Sequence, residues 1–153
     1  IELMKNIFEA NTTVHLTDRI NQLNSEKQPQ WGKMSVDQMI AHCNVAYDMN
    51  LTDKYPKPGG FKKFLIKLFA KKMVCGEAPY KKNGRTSPEF LIADKRNFEN
   101  EKAILLENIR KVEKMGAEQF ENKESHAFGP LTSKEWSNVF YKHLDHHLTQ
   151  FGV

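Results

Sequence analysis

Thr132-Ser133-Lys134-Glu135-Trp136-Ser137-Asn138-Val139-Phe140-Tyr141-Lys142-His143-Leu144-Asp145-His146-His147-Leu148-Thr149-Gln150 reads as one helix, and that reading decides the fold. Thr132 stands at the N-cap with Glu135 three places on, a capping box in which each side chain accepts the other residue's backbone N–H. At about 100° per residue, Trp136, Phe140, His143, His147, Gln150 and the following Phe151 fall on one stripe. His143 and His147 point within roughly 40° of each other, one turn apart. Two imidazoles so spaced can share a metal ion, the arrangement that HExxH zinc sites use. A histidine on an apolar face can equally be a core residue satisfied by a nearby acceptor, so spacing alone leaves both readings open.

Working back from this helix, the rest of the chain also reads as helical, with no convincing alternating strand. Asn11 or Thr12 is placed to cap a first helix carrying Val14, Leu16, Ile20 and Leu23 and fading near Ser25-Glu26. A polar link from Lys27 to Lys33 follows. Ser35 then caps a second helix, with Gln38 completing a capping box. Its inward line is Met39, His42, Ala46 and Met49, with Val36, Ile40, Cys43 and Tyr47 beside it. It fails around Leu51-Thr52-Asp53, before Pro56, Pro58, Gly59 and Gly60.

A long crossover then runs to about Pro88. Inside it, residues 61–74 form a short basic amphipathic segment, with Phe61, Phe64, Leu65, Leu68 and Phe69 set against Lys62, Lys63, Lys67, Lys71 and Lys72. The third long helix is expected to start in the Thr86-Ser87-Pro88-Glu89 region, with a break near Asp94. It carries Phe98, Leu105, Ile109 and Val112 and stops at Gly116. The expected fold is therefore all-α, a four-helix bundle with a long crossover between helices two and three that carries a short amphipathic helix.

Composition bounds the function. A chain of 153 residues suits a single domain, residues 1–153, with a real hydrophobic core. No run approaches the ~20 apolar residues that span a bilayer, and no secretory signal stands at the start. The chain opens at Ile1, so native residues are expected to precede it. Cys43 and Cys75 do not make a disulfide framework, and a reduced, cytoplasmic setting follows. The net charge of +4 is mild and does not argue for nucleic acid.

A shared metal needs a third ligand from another helix. His42 lies on the inward line of the second helix. His15 sits about 100° off the Leu16/Ile20 line and reads as solvent-facing, while His126 lies roughly 25 Å along the last helix axis from the pair. Depth supports His42, which is roughly 10 Å beyond the start of its helix, as the pair is before the end of theirs. If the two helices run antiparallel, three imidazoles meet at one level.

At this point Trp31-Gly32-Lys33-Met34-Ser35, Gln38-Met39-Ile40-Ala41-His42-Cys43, His126-Ala127-Phe128-Gly129 and His143-x-x-His146-His147-x-x-Gln150 together resemble an uncharacterised branch of the DinB-like superfamily. The resemblance covers nearly the whole chain. It implies an up-down-down-up bundle, often dimeric, that holds a divalent metal on three histidines. By position these are His42, His143 and His147. Where many relatives read His-Arg-Gly-Gln, this chain has His147-Leu148-Thr149-Gln150, which weakens any transfer of substrate contacts.

Three neutral imidazoles leave coordination positions open, as catalytic metals require and structural zinc sites do not. Such an ion acidifies water or binds and activates a thiolate. Characterised members of the superfamily include thiol-dependent transferases and an isomerase, so the resemblance favours a metal-dependent thiol transferase or hydrolase acting on a small molecule, with a low-molecular-weight thiol as partner. Zinc is the default metal, and nickel, iron or manganese suit the same ligands. The implied helix order places Trp31, Arg85, Thr86, Ser87 and Phe151 at the mouth, with Gln150 orienting a ligand or water from one turn beyond His147. His146, about 100° from His147, reads as a surface, neighbouring or interface residue.

Cys43 reads as a buried structural thiol, and no Ser-His-Asp arrangement is present. The 61–74 segment resembles a membrane-surface helix, but at this length inside a folded domain it is expected to dock its apolar face on the bundle or on a second subunit. The rival to an enzyme is a non-catalytic bundle that uses its histidines structurally and this segment as a partner or membrane contact.

Overall fold

The long apolar stripes become helices packed on one another. The computed structural model describes residues 4–153, and the expectation attached to Ile1 falls outside them. Among the described residues the chain forms α1 (Ala10–Asn21), α2 (Val36–Leu51), α3 (Gly60–Cys75), α4 (Phe98–Phe120) and α5 (Ser133–Gln150), with a 3-10 turn at Pro88–Phe90. A two-stranded antiparallel pair, β1 (Lys123–Glu124) and β2 (Pro130–Leu131), precedes α5 with Lys123 opposite Leu131. The expected absence of strands is corrected by this small hairpin. It closes because the Ser125 hydroxyl and N–H both donate to the Gly129 carbonyl, at 2.7 and 2.9 Å.

α2 packs against α4 and α5, and α1 packs against the same two helices. The α4 stripe Leu105, Ile109 and Val112 is fully buried, each side chain contributing about 1.5–3 kcal/mol relative to exposure. At the opposite end of α5 from the histidines, Trp136 stacks on Phe140 and Phe140 on Tyr47, with Phe120 edge-on to Trp136. The Trp136 indole N–H finds the Lys123 carbonyl at 3.2 Å, so this buried ring leaves no polar atom unpaired.

Several boundaries differ from the sequence reading. α1 starts at Ala10, with Glu9 at the cap instead of Asn11 or Thr12, and it ends at Asn21. Val14 faces outward at 59 % exposure, because Thr12, Thr13, Leu16 and Ile20 take the buried face. α4 begins ten residues later than expected. Asn97 caps it by accepting the Asn100 N–H, while Pro88 initiates only a single 3-10 turn. Gly116 does not stop the helix. Its φ of +79° kinks it, a conformation open to glycine, and helical hydrogen bonding resumes to bury Phe120. Both capping boxes form: Gln38 accepts from the Ser35 N–H at 3.1 Å, and Thr132 and Glu135 exchange bonds of 3.1 and 3.2 Å.

The crossover helix α3 is the largest departure. It packs against α5, with Ile66, Ala70, Val74 and Cys75 as its least exposed apolar side chains, while Phe61, Phe64, Leu68 and Phe69 face away from the bundle. The expectation that this apolar face docks on the bundle is therefore corrected. A lysine side chain holds the C-terminal end of α3 instead. The Lys142 ammonium donates to the Met73, Gly76 and Ala78 carbonyls at 2.6, 2.6 and 3.0 Å, satisfying groups that a helix end leaves orphaned.

Candidate metal centre

Packing α2 against α5 brings His42, His143 and His147 together, with a ligand atom from each lying within 4.8 Å of the other two. His42 and His147 are buried, and His143 remains partly exposed, so the cluster has one accessible side. Among the described residues, this is the group of histidine, cysteine or acidic side chains that could hold a metal ion.

The tautomers follow from the partners. His42 Nδ1 lies 2.9 Å from the Phe90 carbonyl, which can only accept, so Nδ1 carries the proton and Nε2 a lone pair. His147 Nδ1 lies 2.7 Å from Gln150 Oε1, and the Gln150 amide nitrogen donates to the Trp31 carbonyl at 2.8 Å. Because the Trp31 carbonyl requires a donor, the amide oxygen must face His147. His147 Nδ1 is thus protonated and its Nε2 free. Anchoring the far ring nitrogen on a carbonyl or amide oxygen is how metal-binding histidines are held in orientation.

His42 Nε2 lies 3.0 Å from His143 Nε2. Two lone pairs at that distance repel, so either His143 donates a proton there or both nitrogens face a common cation. A tetrahedral ion about 2.0–2.1 Å from each would set two such nitrogens about 3.3 Å apart, against 3.0 Å for this pair. The donor set also fits in charge. Burial is the main cause that pushes the conjugate acid of all three imidazoles down: His42 is lowered, His143 falls well below the ordinary value, and His147 drops to about 3. The neighbouring histidines push His143 and His147 further, while the Phe90 and Gln150 bonds partly oppose the shifts. At neutral pH all three are neutral, the form a metal needs.

The surroundings are built by specific contacts. Asp37 in the first turn of α2 accepts the Arg96 N–H at 2.7 Å, Gln38 donates to the Asp94 carbonyl, and Asn44 donates to the Glu101 carbonyl and carboxylate. These bonds fasten the irregular stretch before α4 along α2 and carry Phe90 over His42, where its ring also packs edge-on to His143 at 5.8 Å. Tyr80 stands edge-on to His143 and His146 at 6.4 and 5.6 Å, under the Lys142 ammonium at 4.6 Å. Trp31 meets His146 at 5.8 Å, with Lys82 over its other side.

The individual expectations divide clearly. Gln150 and Trp31 lie at the cluster, joined by the hydrogen bond above. Arg85 is exposed and, among the described residues, has no hydrogen bond or ion pair to the histidines. Phe151 is core, 1 % exposed, and not at a rim. His146 packs beside His147 at 5.0 Å without joining the triad. His126 is buried in the hairpin turn, with its N–H on Asn50. Cys43 is fully buried against Met39 Sδ and its thiol is pushed far up, as a structural thiol should be. Phe90, Tyr80 and Lys142 were not anticipated. Phe90 acts through a backbone carbonyl, which leaves no trace in sequence, and Tyr80 sits in a stretch without periodicity.

Two open surface clefts lie around the N-terminal segment, lined by Met4, Lys5 and Asn6, and no histidine of the triad lines either one. Among the described residues, no helix is long and apolar enough to cross a membrane. A family model described as "Protein of unknown function (DUF1569)" matches residues 5–152, and the chain belongs to that family. Neither the curated proteins nor the solved structures contain a match to the chain.

Proposed function

We propose that this DUF1569 protein is a metal-dependent enzyme of the DinB-like kind, holding one divalent ion on His42, His143 and His147 and acting on a small molecule as a thiol-dependent transferase or a hydrolase. The observation that carries the reading is the convergence of three neutral imidazoles, two of them with Nδ1 tied to an oxygen acceptor and Nε2 free. The likeness of the Trp31-Gly32, His42-Cys43 and His143-x-x-His146-His147-x-x-Gln150 motifs to the DinB-like superfamily supports it. That likeness also supports an up-down-down-up arrangement of α1, α2, α4 and α5 and a homodimer, while chain length suits one domain and the two free cysteines suit a cytoplasmic setting. Zinc suits the donors best, with nickel, iron and manganese as alternatives.

A divalent ion held there supplies Lewis acidity, which lowers the pKa of a thiol or water brought to it. The chain supplies the rest. Phe90 and Gln150 fix the ring orientations of His42 and His147. The rings of Phe90 and Tyr80 pack around His143, the partly exposed ligand, and keep bulk water from surrounding it.

Protein purified without chelator or a metal-affinity tag should carry about one ion per chain by elemental analysis. The ion should be lost in His42→Ala and His143→Ala and kept in His146→Ala. Protein that arrives metal-free and takes up no divalent ion on titration overturns the proposal.

A non-catalytic metal-binding bundle is the second reading. It is favoured by the burial of His42 and His147, which leaves His143 as the one partly exposed member of the cluster. Cobalt-substituted protein separates the two readings. A thiolate-to-cobalt absorption band on adding a small thiol supports the transferase, a spectrum that titrates with a bound water near neutral pH supports the hydrolase, and a spectrum that responds to neither supports the bundle.

A further inference from the structure

Helix α3 carries six large apolar side chains that the bundle leaves uncovered: Phe61, Phe64, Leu65, Leu68, Phe69 and Met73 are 77, 59, 36, 63, 78 and 52 % exposed. At about 100° per residue they sweep roughly half the circumference of the helix. Scattered exposed apolar residues are ordinary on a protein surface, but a continuous face of this size marks an interaction surface. What covers it is indicated by charge.

α3 contains five lysines and no acidic residue. Lys63 and Lys71 reach back to Glu124 and Glu135 of the bundle, at 2.7 and 3.4 Å. Lys62, Lys67 and Lys72 are exposed and, among the described residues, form no ion pair. Lys72 is one turn from Leu68 and Phe69 and so lies within the apolar face, where its stem can lie along apolar surface while its ammonium reaches out. The bias extends beyond the helix. Residues 54–85 hold ten Lys or Arg and one acidic residue, Glu77, whereas the rest of the chain holds thirteen basic and eighteen acidic residues.

We propose that the exposed face of α3 docks on an anionic lipid surface, lying in the interface with Phe61, Phe64, Leu68 and Phe69 among the acyl chains and Lys62 and Lys72 among the headgroups, while Lys67 lies on the side of the helix turned toward the hairpin at Gly129. A short helix with a Phe/Leu face interleaved with lysines binds by the sum of buried apolar area and attraction to anionic headgroups. A second copy of the chain is the less favourable occupant, because two α3 faces would bring lysines against lysines with no acidic residue on either helix. A bound peptide is also disfavoured. The face is the outward side of a single helix, whose main packing partner is α5 on its other side.

The full chain should co-sediment with phosphatidylcholine vesicles that contain phosphatidylglycerol, and far less with phosphatidylcholine alone or at high salt. Replacing Lys62 and Lys72 by Gln should weaken partitioning about 25-fold, since each lysine near such a surface contributes about fivefold. The triple variant F61S/F64S/F69S should abolish sedimentation while keeping native helicity and thermal unfolding, because these side chains touch solvent in the folded protein. Sedimentation that both variants retain overturns the proposal. So does a stable dimer by analytical ultracentrifugation that the Phe variant splits while wild-type protein ignores vesicles, which assigns the face to a second copy.

Discussion

His42 Nε2 stands 3.0 Å from His143 Nε2, although 101 residues separate them in the chain. In metal-free protein one of these nitrogens must donate to the other. An ion held by all three Nε2 atoms would need His143 in the other tautomer, with its proton on Nδ1. Removing either imidazole leaves two ligands, and His42→Ala or His143→Ala should weaken zinc binding by at least about a hundredfold, while His146→Ala leaves it within a few-fold. Isothermal titration with a competing chelator measures all three.

Gln150 links His147 Nδ1 to the Trp31 carbonyl. Gln150→Leu keeps the size of the side chain but removes the acceptor that holds the ring, so metal affinity should fall about 10- to 100-fold with stoichiometry unchanged. If affinity is untouched, the amide plays no part in orienting the ligand.

Gly32 presses on the same amide. A Cβ at this position would lie 2.6 Å from Gln150 Nε2, and the φ of +84° disfavours any side chain. Gly32→Ala should therefore cost about 1 kcal/mol or more in stability and also weaken metal binding through Gln150. Urea unfolding and metal titration of the same preparation read the two effects separately.

Acid should unfold the metal-free protein early. The three imidazoles have folded pKa values held below the ordinary 6.5, His147 at about 3. As pH falls below about 6.5 the unfolded chain takes up protons that the folded one refuses, so the stability of the neutral cluster is fully present above 6.5 and is lost down toward pH 3. Urea midpoints of chelator-treated protein should fall steadily across this window, and the rise in Tm caused by added zinc should fade in it as well. Replacing His147 with Gln should flatten the pH dependence.

Lys142 is buried, and its ammonium is the shared donor for the Met73, Gly76 and Ala78 carbonyls. Burial lowers its pKa, yet hydrogen bonds from a charged group to three carbonyls justify keeping it inside. Lys142→Met preserves the stem and orphans the carbonyls, which should destabilise the protein by about 2–4 kcal/mol. Thermal unfolding should show the loss, while about one metal ion per chain is still bound.

Much of this centre could be read along the chain. The capping boxes at Ser35 and Thr132 are local chemistry, each written in residues three apart, and both form. The apolar stripes of α2, α4 and α5 follow from period alone, and with them the inward facing of His42 and His147. Those two facts and helix depth suffice to choose His42 over His15 and His126. The weaker boundaries are where local signals compete. The Thr86-Ser87-Pro88-Glu89 region looks like a helix start, yet α4 begins only after Asn97, because the stretch between is held along α2 by Asp37 and Gln38. Gly116 looks like a stop, yet the burial of Phe120 against Phe8 and Trp136 carries the helix past it.

By itself, then, the sequence determined most of the helical segments, where two of the helices begin, and which histidines lie on inward faces at matching depth. Periodicity carries that information because a helix repeats every 3.6 residues whatever surrounds it. Only the tertiary structure decided what touches those imidazoles: the Phe90 carbonyl on His42, the Tyr80 ring beside His143, and the Lys142 grip on the end of α3. A backbone carbonyl looks the same in every residue, and an irregular connection has no period to read. The same limit explains α3. An apolar face shows in sequence that something should cover it, and only packing shows that the bundle does not.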